Sequence, residues 1–220
     1  MRVKTLLTPL LLGLLLLLGG CGDNGPHTRG VYMLLDTSGT YTHELKKAQQ
    51  IINFNLAKLN PGDSFAVARI DTGSFTEKDI VAKVHFDDQP SKANYQKRQF
   101  ADMVDRFVNE VKPAPYTDIT GGILQAIEYL NEQHTGRKTI LIFSDLKEEL
   151  KKGYVRDLPL NLRGFDVVAL NVTKLRSDNV DPREYMDRLA AWKKRVEAGG
   201  GTWRVVNDLD RLDGILGDNH

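Results

Sequence analysis

Short apolar runs alternate with longer amphipathic segments along most of this sequence. The apolar runs have the length and composition of buried strands and occupy residues 31–35, 64–70, 79–86, 139–143, 166–172 and 202–206. Between them, apolar residues recur at helical spacing within residues 45–59, 100–111, 119–130 and 185–196. Strands that alternate with helices favour a mostly parallel sheet with helices on both of its faces.

Turn residues between these segments refine the predicted topology. The link at residues 71–74 is too short for a parallel crossover, so the second and third strands should form an antiparallel pair. Asn-Pro-Gly at residues 60–62 ends the first helix, and Asp181 followed by proline begins the last long one. A short helix should follow the strand at 202–206. We therefore predict a doubly wound α/β domain over residues 31–217, whose mostly parallel six-stranded sheet has one antiparallel edge strand.

The first 20 residues have a different pattern, typical of a secretory signal. Arg2 and Lys4 precede an apolar stretch at residues 6–18, which is too short to span a bilayer comfortably as a permanent helix. Small residues then lead to Cys21, the only cysteine in the sequence. This ending resembles the lipobox of bacterial lipoproteins, in which the cysteine becomes the lipid-bearing first residue. A plain signal peptide with an incidental cysteine is the alternative.

The lipobox resemblance implies a location for the mature protein. Residues 1–20 would be removed as a lipoprotein signal peptide, Cys21 would carry lipid, and residues 21–30 would form a short tether. We expect a lipid-anchored protein of the bacterial cell envelope on the periplasmic side. Gly22 favours the outer membrane, because an aspartate at this position is associated with inner-membrane retention. Loss of the signal's two basic residues changes the formal net charge from +1 to −1, so no basic excess suggests a nucleic-acid partner.

Carboxylate and hydroxyl side chains lie where the predicted strands end. Asp36, Ser38 and Thr40 follow the first strand, Thr117 precedes the 119–130 helix, and Asp145 follows the 139–143 strand. Ligands of such sheets bind outside the carboxyl ends of the strands. Alternate side chains of an extended segment point the same way, so the first three can converge. Carboxylate and hydroxyl oxygens suit Mg²⁺, Mn²⁺ or Ca²⁺ and are poor ligands for zinc or copper.

These residues resemble the motifs of a von Willebrand factor type A domain with a metal-ion-dependent adhesion site. "DTSGT" matches the Asp-x-Ser-x-Ser/Thr motif at Asp36, Ser38 and Thr40. "YTDITGGI" is similar to the second motif, whose threonine falls on Thr117, and "ILIFSD" resembles the third, whose aspartate falls on Asp145. The three motifs occur in the family's order and in the expected strand contexts.

The resemblance implies a role for each of these residues. Ser38 and Thr40 would bind the ion directly, Asp36 and Asp145 would act through water, and Thr117 would bind directly in the ligand-competent state. It further implies a module without enzymatic activity that binds proteins. Its ion, Mg²⁺ or alternatively Mn²⁺ or Ca²⁺, would capture an Asp or Glu carboxylate of a partner protein. The family's third motif usually continues with glycine, whereas Leu146 follows the aspartate here, which leaves the shape of this loop open.

Simpler interpretations of the same residues also stay open. Residues 36–40 could form an ordinary turn, Thr117 and Asp118 could only cap a helix, and Asp145 could be a solvated loop residue. Two other functions use the same positions: a metal-assisted hydrolase, and a structural domain whose metal site has lapsed. Phosphotransferases with an aspartate after the first strand need a second carboxylate two residues later, where this sequence has Ser38. The Gly-x-Ser-x-Gly motif of α/β-hydrolases is absent from the sequence.

Overall fold

A computed structural model describes residues 27–39, 41–71 and 76–208 of the chain. Within these ranges, six strands form one sheet: β1 (Arg29–Asp36), β2 (Ser64–Ile70), β3 (Ile80–His85), β4 (Arg137–Phe143), β5 (Phe165–Leu170) and β6 (Thr202–Val206). The same ranges contain four α-helices: α1 (Leu45–Lys58), α2 (Pro90–Glu110), α3 (Ile119–Glu132) and α4 (Pro182–Ala198).

The strand order β3-β2-β1-β4-β5-β6 places β1 in the interior of the sheet. All neighbouring strands are parallel except β2 and β3, which pair antiparallel. The chain runs from β1 outward to β3 and then returns to β4 on the other side of β1, so the strand order reverses between β1 and β4. Leu35 pairs with Phe143, which means that both strands end at the same level. The loops that follow them diverge from this switch point, where such sheets bind ligands.

Both faces of the sheet are covered by helices. Val31, Met33 and Leu35 of β1 lie in a core cluster with residues of α1 and α2. The alternate β1 residues Tyr32 and Leu34 lie in the opposite cluster with residues of α3 and α4. This burial on both sides explains why β1 is a continuous apolar run rather than an alternating one. The predicted fold class, the antiparallel edge strand and the helices on both faces are confirmed.

The structure differs from the sequence-based expectation mainly in α2. Apolar spacing predicted a helix only within residues 100–111, whereas α2 begins at Pro90. Ala93 is the only residue buried in its first ten positions, so most of this half lies in solvent and carries no apolar pattern. The predicted signal, most of the tether and the helix after β6 lie outside the described residues. None of the helices in the described ranges has the length and apolar character needed to cross a membrane.

Candidate metal site

Asp36 is the last residue of β1 and its side chain is completely buried. Its Oδ1 accepts a 2.8 Å hydrogen bond from the backbone N–H of Ser38, and its Oδ2 accepts a 2.6 Å bond from the hydroxyl of Ser144. The bond to the residue two positions later is the usual turn interaction of an aspartate. The described part of this segment, residues 36–39, therefore begins with a turn interaction. The same turn fixes the carboxylate at the switch point of the sheet.

Two of the predicted hydroxyl residues lie against this carboxylate. The side chains of Ser38 and Thr117 are close enough to the Asp36 carboxyl to lower its pKa by hydrogen bonding. The backbone holds the two segments together, because Ala114 donates a 2.7 Å bond to the carbonyl of Thr37. Thr40, the remaining predicted hydroxyl ligand, lies outside the described residues.

Asp145 approaches the same place from the end of β4. Its side chain is buried, and its Oδ1 accepts a 2.9 Å bond from the backbone N–H of Lys147. Burial raises the pKa of the Asp145 carboxyl to about 6, and the negative charge of Asp36 contributes to this rise. Burial also raises the pKa of Asp36, although hydrogen bonds from Ser144 and Ser38 oppose the rise. The structure thus brings together Asp36, Asp145 and two hydroxyl residues.

Leu146 adopts the backbone conformation that the glycine of the third motif would favour. Its φ is +66°, in the left-handed region, which costs a residue with a side chain about 1–2 kcal/mol. The leucine side chain is buried in the core cluster that contains α3 and α4, and this burial contributes about 1.5–3 kcal/mol. The backbone is also held by a 3.0 Å bond from its N–H to the Ser144 hydroxyl and a 3.0 Å bond from the Trp192 indole to its carbonyl. Packing therefore replaces glycine in shaping this loop.

Asp118 caps α3 and does not face the other candidate ligands as a free carboxylate. Its Oδ1 accepts a 2.7 Å bond from the N–H of Gly121. A Cβ on residue 121 would lie 2.5 Å from Asp118 Oδ2, so glycine is required for this close approach. The guanidinium of Arg156 donates to the Asp118 carboxylate at 2.8 and 3.0 Å. The helix-cap interpretation thus applies to Asp118, while the preceding Thr117 lies against Asp36.

Sequence reasoning missed three residues that support the site. Ser144 bonds both the Asp36 carboxylate and the backbone of Leu146. Arg188 of α4 donates a 2.9 Å bond to the carbonyl of Asp145, and Arg156 fixes the cap next to Thr117. Ser144 could have been found from its place between β4 and Asp145. The two arginines lie far along the chain and had no sequence signal.

The donor set fits a hard cation better than a transition metal. No three His, Cys, Asp or Glu side chains in the described part of the chain come together in a way that could hold a metal ion. The assembled group instead has two carboxylates and takes its other oxygens from serine and threonine. Burial raises the pKa of both carboxyls, and the charge of Asp36 adds to the rise at Asp145, so a divalent cation would stabilise the two ionised groups. The residues present are therefore compatible with Mg²⁺, Mn²⁺ or Ca²⁺.

Solved structures share this architecture at low sequence identity. A von Willebrand factor type A protein from Catenulispora acidiphila matches with a TM-score of 0.52 and 16% identity, over 85% of this chain and 40% of that one. The fold is shared with von Willebrand factor type A domains. The pilus adhesin SpaC from Lactobacillus rhamnosus GG, in its open conformation, matches with a TM-score of 0.54 and 13% identity, over 88% of this chain and 29% of that one. This chain therefore corresponds to less than half the length of either protein. No family model and no curated protein matches the sequence.

Proposed function

We propose that this protein is a divalent-metal-dependent protein-binding module without enzymatic activity. The observation that carries the proposal is the position of Asp36, Ser38, Thr117 and Asp145 around the switch point of the sheet. The fold shared with von Willebrand factor type A domains supports the same conclusion. The order of the three sequence motifs along the chain supports it independently.

The proposed ligand set combines neutral hydroxyls that bind the ion directly with carboxylates that bind it through water. Ser38 and Thr40 would bind the ion directly, and Thr117 would join them in the ligand-competent state. Asp36 and Asp145 would hold it through water. With few direct carboxylate ligands, a bound Mg²⁺, Mn²⁺ or Ca²⁺ supplies an under-neutralised positive charge that favours an anionic oxygen. A partner protein would provide this oxygen from an Asp or Glu side chain.

We further propose that the domain is held on a bacterial membrane by a lipid on Cys21. The support is the sequence pattern before this cysteine, namely two basic residues, an apolar stretch and small residues. Residues 22–30 would extend over at most about 30 Å, so the domain would act close to the membrane surface. Replacement of Cys21 by serine should prevent lipid attachment and release the protein or leave it unprocessed.

Calorimetry on the purified full chain in detergent tests the metal. Mg²⁺ should bind with a dissociation constant of about 0.1–1 mM, because hydroxyls hold an ion less tightly than a carboxylate cage. Asp36→Asn should abolish binding. Asp63→Asn is the matched control, since Asp63 is equally buried but bonds the backbone of Arg29 at the opposite edge of the sheet. If the wild type binds no Mg²⁺, Mn²⁺ or Ca²⁺ at millimolar concentration, the metal site has lapsed and the proposal is wrong.

A pull-down from envelope extract tests the recognition role. The wild-type chain should retain a partner in Mg²⁺ and lose it in a chelator, and Asp36→Asn should retain nothing in either condition. A partner whose capture is insensitive both to chelation and to Asp36→Asn would place recognition on another surface. Hydrolysis of generic phosphoester substrates that depends on Asp36 would instead establish the hydrolase alternative.

A further inference from the structure

A groove with basic walls opens beside the candidate metal site. It has a volume of about 850 Å³ and lies between the loop after β1 and the loop after β5. Asp145 and Gly39 form part of its lining, so it is continuous with the candidate site. Its basic side chains are those of His43, Lys147, Lys174 and Arg176, and we call it the basic groove.

The positive charges of this groove are not all neutralised by the protein. Lys147 pairs with Glu149 at 2.5 Å. Lys174 and Arg176 are exposed, and neither forms a salt bridge with a carboxylate in the described ranges. The one glutamate of the lining, Glu44, is itself engaged by Lys47 at 2.6 Å and by Asn171 at 3.0 Å. Lys174 Nζ lies 5.9 Å from the centre of the Tyr185 ring, and its charge acts on Asp178, which is already bound by Arg188. The groove cations without a carboxylate in direct contact in the described part of the chain are therefore those of Lys174 and Arg176.

The loop that carries these two cations is held at both ends. At its start, the N–H of Val172 donates a 2.7 Å bond to the side chain of Asn207. At its end, the buried carboxylate of Asp178 accepts a 2.7 Å bond from the N–H of Leu175 and a 2.8 Å bond from Arg188. A loop that is fixed in this way loses little conformational entropy when a ligand binds, which favours a recognition surface.

We propose that the basic groove binds an acidic peptide segment of a partner protein. One carboxylate of this segment reaches the metal site, and a further acidic side chain pairs with Lys174 and Arg176. The first contact rests on the proposed function, whereas the second depends only on the groove. The planar guanidinium of Arg176 can bind a carboxylate with two hydrogen bonds, and Lys174 adds a point charge. Glutamate or aspartate residues close to the metal-bound acid thus become a specificity requirement.

Fluorescence anisotropy with labelled synthetic peptides tests the groove on the purified full chain in detergent. One peptide has a single aspartate in a glycine-serine background, and the second has two glutamates added after that aspartate. In Mg²⁺ at low salt, the second peptide should bind about threefold to tenfold more tightly, as expected for one or two exposed ion pairs. The preference should decrease at high salt because these charges are screened.

The decisive comparison uses two double variants that remove the same charge. Lys174→Gln with Arg176→Gln should abolish the preference for the second peptide and leave Mg²⁺ affinity unchanged. Lys92→Gln with Arg98→Gln is the control, since both residues are exposed on the first half of α2, which begins at the opposite edge of the sheet. A preference that survives in the groove variant, or its absence from the wild type, overturns the inference.

A chelator separates this inference from the proposed function. If binding of the single-aspartate peptide needs Mg²⁺ and the groove variant keeps the preference, the metal function stands and the groove inference is wrong. If binding of the single-aspartate peptide does not change in a chelator, and the preference for the second peptide requires Lys174 and Arg176, the groove inference stands while the metal-dependent function falls.

Discussion

Buried aspartates occur in this protein in two electrostatic settings. In the first setting, each carboxylate lies against a guanidinium group. Asp118 is bound by Arg156 and Asp178 by Arg188, both at 2.8 Å between nitrogen and oxygen. The hydrogen bonds from Arg188 hold the pKa of Asp178 below its ordinary value. These carboxylates fix a helix cap and a loop, and their charge is balanced within the protein.

Asp36 and Asp145 represent the second setting. They are buried to the same degree, but neither carboxylate forms a salt bridge within the described ranges. Hydroxyls and backbone N–H groups orient them, and burial raises the pKa of both. The protein therefore stabilises the ionised form of these two carboxyls only in part. This is expected of a site whose positive charge comes from a bound cation.

The largest predicted loss of stability comes from removing the carboxylate of a buried salt bridge. Asp178→Ala leaves the guanidinium of Arg188 without its carboxylate in a nearly buried position, and should lower the free energy of unfolding by about 3 kcal/mol. Urea denaturation measures this change. Asp181→Ala removes an aspartate from an exposed pair with Arg183 and should have a much smaller effect, mainly through the lost helix cap. Equal losses in the two variants would contradict the distinction.

In a chelator at pH 7, Asp145→Asn should raise the free energy of unfolding, whereas Asp178→Ala lowers it. The pKa of Asp145, raised to about 6 by burial, exceeds the value of about 3.9 in the unfolded chain. The stabilisation that its proton provides is complete below about pH 4 and is lost as the pH rises through about 6. We expect the chelated wild type to lose about 2 kcal/mol over this interval.

The asparagine variant carries no such penalty. It keeps an oxygen that can accept the bond from Lys147 and should therefore be more stable than the chelated wild type at pH 7. Denaturation curves at pH 4 and pH 7 provide the comparison. A variant that is less stable than the wild type at pH 7 would mean that the protein itself balances the Asp145 charge.

Addition of Mg²⁺ should stabilise the protein, because the ion would balance the charges of Asp36 and Asp145. At a Mg²⁺ concentration ten times its dissociation constant, the wild type should gain about 1.4 kcal/mol. Asp36→Asn should gain nothing, whereas Asp63→Asn should gain as much as the wild type. Thermal denaturation with and without Mg²⁺ measures all three proteins. An equal gain in Asp36→Asn would place the bound ion elsewhere.

The contrast between the two settings also explains how far the sequence could be used. Strand order and strand ends were predictable, because burial on both faces produces apolar runs and ligands bind at the carboxyl edge. Asp36, Ser38 and Thr117 were therefore expected to lie together. The shape of the loop after Asp145 was not predictable, since Leu146 takes a left-handed φ that is stabilised by tertiary contacts, namely packing against α3 and α4 and bonds with Ser144 and Trp192.

The arginine partners of the buried aspartates could not be predicted from the sequence for a different reason. Arg156 lies 38 residues after Asp118 in a segment without regular structure, and nothing in its neighbourhood distinguishes it from other basic residues. Only the tertiary fold shows which buried aspartates are balanced. The sequence thus indicated where carboxylates gather, and the structure was needed to separate those with a cation from those without one.

The smallest predicted effect concerns Thr117, which has an aspartate of each setting beside it. Its side chain is close to the Asp36 carboxylate, and its neighbour Asp118 is held by Arg156. Thr117→Val removes the hydroxyl and keeps the shape, so Mg²⁺ affinity should fall about fivefold, or about 1 kcal/mol, since the other donors and water still complete the coordination. Thr117→Ser keeps the hydroxyl and should bind like the wild type in calorimetry. If Thr117→Val binds Mg²⁺ normally, the hydroxyl serves only to orient Asp36. If it binds none, Thr117 is a ligand that water cannot replace.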